Sequence, residues 1–204
     1  MNSEEYYTLI PPYKDAMNQI LARLDILNHN SAQKEDFKPI HSIKNRIKEK
    51  ESLEGKLSRL HYEASAEEAR DRLMDIAGVR VICFFEQDIR RLAMSLKRQS
   101  DLVIIVEKDY IANPKPNGYR SYHLIVGVPV YSIDDTEYYP VEIQFRTIAM
   151  DFWAAMEHRV CYKTLPEDEE QIRSTFKDYS LTLEEMEKTF EGFHENTVVR
   201  NAVS

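Results

Sequence analysis

Lys108 to His123, KDYIANPKPNGYRSYH, decides how the rest of the chain is read. The apolar run Leu102 to Val106 leads into it and Leu124 to Val128 leaves it, so the stretch is predicted to be a long loop joining two strands of a sheet. Within these sixteen residues stand two prolines, one glycine, three Lys or Arg, three tyrosines and a histidine. Loops of that length inside a compact domain generally bind something or move.

Further strands lie on either side. Val79 to Phe85 is rich in β-branched and aromatic residues, as a buried strand should be, and Tyr138 to Phe145 follows the turn signal Asp134-Asp135. Helical spacing appears at Met17, Ile20, Leu21, Leu24 and Leu27, predicting a helix that starts after Pro11-Pro12 and ends near Asn28 to Ser31. A polar linker containing Pro39 follows. Ser52 is expected to cap a short helix carrying Leu53, Leu57 and Leu60, Ser65 one running to about Met74, and Asp88 one with Ile89, Leu92 and Leu96 on a single face. Thr147 to Tyr162 reads as another helix. Beyond Pro166, apolar residues fall at Ile172, Phe176, Tyr179, Leu183, Met186, Phe190 and Phe193, a four-three alternation that fits either a coiled-coil seam or a helix folded back on its own domain; past Asn196 the tail is expected to fray. The result is a mixed α/β sheet, α+β in class, flanked by helices at both ends of the chain.

A chain of 204 residues suits one domain, read here as an N-terminal helical segment (1–38), a core (39–163), a C-terminal helical segment (164–196) and a tail (197–204). Two cysteines, Cys83 and Cys161, imply no disulfide framework. No signal peptide or membrane-spanning run is visible, so the expected location is cytoplasmic. The net charge of -8 argues against tight binding to long nucleic acid, but seven Lys/Arg against three Glu between Lys38 and Arg59 make a locally basic surface, and Thr164 to Asn196 holds ten acids against three bases. A basic patch on an acidic protein suits a small polyanion.

Two acids stand beside strands: Asp75 just before one and Glu142 inside another. Carboxylates there call for a cation, and Mg²⁺ takes one or two carboxylates together with phosphates and water. Arg46, Lys48, Lys56, Arg80, Lys108, Lys115 and Arg120 supply forks and point charges for phosphates, and Tyr119 offers a ring on which a base can stack. Neither a GxxxxGK[ST] loop nor a GxGxxG is present, which excludes the P-loop and Rossmann modes. Glu157 and His158 are adjacent on a helix and make no HExxH site.

DIAGVRV (Asp75 to Val81), the central stretch, VEIQFRTIAMDFWAAMEH (Val141 to His158) and RIKEKESLEGK (Arg46 to Lys56) together resemble the synthetase domain of the RelA/SpoT homologues, over about Pro39 to Lys163. At this length, without a hydrolase domain, the chain looks like a stand-alone small alarmone synthetase of the RelP/RelQ type. The resemblance implies a nucleotidyltransferase-like fold, Mg²⁺ as cofactor, and transfer of the β,γ-pyrophosphate of ATP to the 3'-hydroxyl of GDP or GTP. It implies roles as well. Asp75 and Glu142 hold the metal, Glu142 serving also as general base; Arg46 and Arg80 sandwich adenine; Lys48, Ser52 and Lys56 meet ATP phosphates. Tyr119 stacks on guanine, with Lys115, Arg120 and His123 near the acceptor phosphates, and Gln144, Lys108 and Glu157 line the site. Gly55 and Asp151 depart from the family pattern, a homotetramer is expected, and RNA or alarmone are candidate regulators. Two other readings fit the residues: an RNA- or nucleotide-binding regulator, and a nucleotidyltransferase that moves AMP.

Overall fold

The computed structural model describes residues 1–35, 37–161 and 169–202. Chain order is α1 (Ser3–Leu9), α2 (Pro11–Glu35), β1 (Ile40–Ile47), α3 (Lys50–Arg59), α4 (Ala66–Arg72), β2 (Ala77–Cys83), α5 (Glu86–Lys97), β3 (Val103–Asp109), β4 (Tyr122–Tyr131), β5 (Thr136–Thr147), α6 (Ile148–Cys161) and α7 (Glu169–Ala202). The boundary expected at Tyr162 to Thr164 and the break at Pro166 lie outside the described residues. Among those described, no helix is long and apolar enough to cross a membrane.

The strands form one mixed sheet in the order β1-β2-β5-β4-β3. Only β2 and β5 run parallel; the other pairs are antiparallel. Alternation along its central strands β2, β5 and β4 divides this sheet into two faces. Val79 and Val81 of β2, Val141, Ile143 and Phe145 of β5, and Leu124 and Val126 of β4 are buried in one apolar cluster with Ile20 and Leu24 of α2 and Ile89, Leu92 and Leu96 of α5. Residues of the other parity in β2 and β5, namely Gly78, Arg80, Glu142, Gln144 and Arg146, occupy the opposite face.

Several local expectations are corrected. The supposed linker at Pro39 leads straight into β1, an edge strand that pairs only with β2; its polar sequence, HSIKNRI, carries too few apolar side chains to announce a strand. Helix α2 begins at Pro11, because the first turn leaves its N–H groups unpaired and proline lacks one anyway. It continues through Asn28, whose Oδ1 accepts the Ile40 N–H at 3.1 Å and so ties helix to strand. Helix α3 starts one turn earlier than Ser52, with Glu49 as cap, since the fully buried Leu53 and Leu57 set its phase. Asp88 is the third residue of α5 rather than its cap; its carboxylate accepts the N–H of the cap residue, Phe85, at 3.1 Å. At Ser65 the capping expectation holds, with Oγ accepting the Glu68 N–H at 3.1 Å. Helix α7 extends to Ala202, past Asn196.

The central stretch is also tighter than its sequence suggests. Lys108 and Asp109 pair with His123 and Tyr122 in the β3–β4 ladder, leaving 110–121 as the connection. There Gly118 N–H donates to Lys115 O at 2.8 Å, closing a turn with Pro116 at its second position and Gly118 (φ +92°) at its fourth.

Candidate active site

Register assembles the polar sheet face in rows. Arg46 lies opposite Gly78, Gly78 opposite Glu142, and Glu142 opposite Ile125; in the next row Lys44, Arg80, Gln144, His123 and Lys108 follow one another across all five strands. Gly78 has no side chain to fill the hollow between Arg46 and Glu142, and a Cβ there would reach to 4.0 Å of Arg46 Cγ. The cleft so formed, about 200 Å³, is lined by Arg46, Asp75, Gly78, Arg80, Glu142 and Gln144 among others. A second, of about 650 Å³, opens beside it over Arg46, Lys48, Ser52, Gly55 and Arg59.

On this first side, Asp75 is gripped by two ammonium groups, Lys48 Nζ at 2.6 Å from the end of β1 and Lys56 Nζ at 2.7 Å from α3. Burial pushes the Asp75 carboxyl up, but the two ammonium groups outweigh it and hold the group below its usual range. Lys48 is itself fixed through its backbone, whose N–H donates to Ile76 O at 2.8 Å. Burial, reinforced by Arg146, lowers the Arg80 pKa; the guanidinium lies 3.5 Å from both Asp151 Oδ1 and Gln144 Oε1, and its Nε is buried without a hydrogen-bond partner. Arg46 and Ser52 are exposed at the rims.

Glu142 stands between the two sides. Oε2 accepts from Gln144 Nε2 at 3.0 Å, and Oε1 lies 3.3 Å from His123 Nδ1. Burial would raise this carboxyl, yet the hydrogen bonds from His123 and Gln144 leave it below its ordinary value, so it is ionised at neutral pH.

On the second side, Tyr119 is held by its hydroxyl, 3.0 Å from His123 Nε2 and accepting from Arg146 Nη2 at 3.0 Å. Lys115 Nζ lies 4.8 Å from the centre of its ring and Arg146 Cζ 5.3 Å. Asn117 Nδ2 donates to Glu157 Oε1 at 3.3 Å, tying the loop to α6. Lys108 is exposed in the His123 row.

Arg120 is not brought to this group. Its side chain, 6% exposed, turns to the back of the loop, where Glu187, Glu86 and Glu184 lie at 3.4, 3.6 and 3.8 Å. Arg146, equally buried, lies under Tyr119 instead and is paired with Asp151 at 2.9 Å. The same carboxylate meets Arg80, and Lys44 at 3.7 Å. Arg146 was legible in principle, since it shares the parity of Glu142 and Gln144 in VEIQFRT; Asp151, a turn into the next helix, stood out only as a departure from the family pattern.

A larger cleft, about 810 Å³, lies between α1 and α4. It gathers Glu4, Glu5, Glu67 and Asp71, and its one cation, Arg70, is paired with Glu137 at 2.9 Å, so it offers nothing to a phosphate.

Two carboxylates set among guanidinium and ammonium groups, with an aromatic ring alongside, form a site whose chemistry suits phosphorylated nucleotides. The chain belongs to the RelA/SpoT family: the region found in RelA / SpoT proteins matches residues 37–167. It is similar to two Bacillus subtilis proteins, GTP pyrophosphokinase YwaC (40% identity over 86% of this chain and 83% of that one) and GTP pyrophosphokinase YjbM (32% over 80% and 76%). Among solved structures, small alarmone synthetase 1 from Bacillus subtilis bound to its product pppGpp matches with a TM-score of 0.82 at 28% identity, covering 96% of this chain and 99% of that one. Small alarmone synthetase 2 from the same organism matches with 0.78 at 37%, covering 91% and 96%.

Proposed function

We propose that this chain is a (p)ppGpp synthetase: it moves the β,γ-pyrophosphate of ATP onto the 3'-hydroxyl of GDP or GTP and releases AMP. The observation that carries this reading is the shared cleft of Asp75, Glu142, Arg46 and Arg80, in a fold that matches a product-bound synthetase over nearly its whole length.

ATP belongs on the Arg46 side. Arg46 and Arg80 flank the hollow over Gly78 and present flat cations to adenine, while Lys48 and Lys56 turn from Asp75 toward the incoming phosphates, with Ser52 at the rim. The acceptor belongs on the Tyr119 side, its guanine on the ring and its phosphates toward Lys115. Glu142, ionised and central, takes the proton of the 3'-hydroxyl as that oxygen bonds to the β-phosphorus; the bond from the β-phosphorus to the oxygen shared with the α-phosphorus breaks, and its electron pair leaves on AMP. His123 orients the carboxylate. Gln144 fixes the other oxygen.

The donor set fits a magnesium ion. Asp75 and Glu142 supply two carboxylates, with phosphate and water left to complete the shell, as this cation prefers. Bound there, it would neutralise phosphate charge. A cytoplasmic location fits a protein with ATP and GTP as substrates.

An assembly of identical subunits, a homotetramer, fits the outer side of α7. Phe84, Phe152, Met186 and Phe190 line an apolar groove of about 490 Å³ and are all exposed, as are Tyr179 and Phe193. Of the apolar heptad positions Tyr179, Met186 and Phe190 are largely exposed, while Phe176 packs edge-on against Trp153. The helix thus folds back on its own domain along one stripe and presents another.

With Mg²⁺, γ-labelled ATP and GDP, the label is expected in the guanosine product with AMP formed in equal amount. Label appearing as free pyrophosphate would point to transfer of AMP, and no transfer at all would overturn the assignment.

A further inference from the structure

Tyr119 sits between two residues that face the other way. Gly118 O accepts a hydrogen bond from Ser180 Oγ of α7 at 2.6 Å, and a Cβ on Gly118 would come within 3.0 Å of Ser180 Cβ and 3.1 Å of Lys177 Cα. On the far side, Arg120 is buried against Glu184 and Glu187 of α7 and Glu86 of α5. One turn before Ser180, the carbonyl of Phe176 accepts from Trp153 Nε1 at 2.7 Å, fastening α7 to α6. Ser180 is 6% exposed.

Both chain neighbours of Tyr119 are therefore fixed from behind by one helix, and the ring is left to project into the site. Gly118 closes the turn and Arg120 leads toward β4, so holding both fixes the backbone on either side of Tyr119 and with it where that side chain stands. The close approach at Gly118 leaves this contact no slack. A loop whose aromatic ring is placed in advance binds its ligand without the entropy cost of ordering it.

Resting on the acceptor assignment made above, we propose that Ser180 and Glu187 are positioning residues for the guanosine nucleotide: α7 is the template that places Tyr119 and so sets acceptor affinity without touching either substrate.

The full-length chain carrying Ser180→Ala, and separately Glu187→Gln, is titrated by calorimetry with GDP and with a non-hydrolysable ATP analogue, and KM is measured for both substrates. Losing the partner of a buried polar group should weaken GDP binding by about fivefold or more in Ser180→Ala. Glu187→Gln should show a smaller loss in the same direction, because Glu86 and Glu184 remain around Arg120. Affinity for the ATP analogue should stay within about twofold in both variants if the effect travels only through Tyr119. Should Ser180→Ala fail to fold, the GDP-to-ATP contrast in the near-isosteric Glu187→Gln variant decides. Unchanged GDP affinity, or equal weakening of both nucleotides, overturns the proposal. Absence of GDP binding by the wild-type chain would instead remove the acceptor assignment on which it stands.

Discussion

His123 Nδ1 lies 3.3 Å from Glu142 Oε1, and that contact, together with Gln144, keeps a largely buried carboxylate below its usual pKa. Glu142 is thus ionised, oriented and ready to accept a proton. Glu142→Gln keeps the shape and removes the proposed base, and turnover should fall by about 10²–10⁴-fold, the usual range for general-base loss. Affinity for an ATP analogue, measured by calorimetry, should stay within a few-fold; near-normal turnover would take Glu142 out of the base role.

Replacing His123 with Asn should shift the pH profile in a fixed direction. Without the imidazole, burial is less opposed and the Glu142 pKa rises, so the acid limb of kcat moves to higher pH. A pH–rate series on both proteins would show it, and an unmoved limb would mean that His123 does not set the charge state of Glu142.

The ring and the hydroxyl of Tyr119 separate cleanly. Tyr119→Ala removes the stacking surface and should raise the GDP KM by about 10–100-fold, from the 1–3 kcal/mol typical of a base on an aromatic ring. Tyr119→Phe keeps the ring but frees Arg146 and His123 from its oxygen, and a much smaller rise is expected. Equal effects of the two changes in steady-state kinetics would assign the work to the hydroxyl.

Asp88 gives a stability test away from the chemistry. Burial in α5 raises its pKa from 3.8 to about 6. Between those values the folded protein binds the extra proton, so the contribution of Asp88 is fully present below pH 4 and is lost as pH rises through about 6. Asp88→Asn stays neutral and can still accept the Phe85 N–H; it should unfold at higher denaturant than wild type at pH 7.5, by about 1–2 kcal/mol, with the gap closing near pH 4. A gap of the same size at both pH values would show that ionisation is not the cause.

Phe190 is 56% exposed on the apolar groove beside Phe152 and Met186. Phe190→Glu should lower the particle mass by light scattering while leaving far-UV circular dichroism unchanged. Wild-type mass in the variant would place any subunit contact elsewhere.

How much of this was written in the sequence varies with how local the signal was. β2, β5 and the apolar face of α5 were legible because their periodicity is set by burial on one side. β1 was not, because an edge strand over a polar face needs few apolar residues, and its partner β2 lies some thirty residues on. Asp75, Glu142 and the basic set were visible as residues out of place. Arg120 had the same sequence signature as a phosphate ligand, and only the three carboxylates from two distant helices reveal that its partners are within the protein. That Arg120 faces α7 while Arg146 faces Tyr119 is thus a matter of tertiary contact.

The two-faced sheet also limits how this chain can change. Arg80, Glu142, Gln144 and His123 are all displayed because three strands share one parity, and a single inserted or deleted residue within β2 or β5 would reverse it. Carboxylate and guanidinium would then enter the apolar layer while Val141 and Ile143 met water. Length variation should accordingly be tolerated at the Ser132–Asp135 hairpin turn, outside the shared rows, and rejected within the strands: the polar rows double as a ruler for strand alignment.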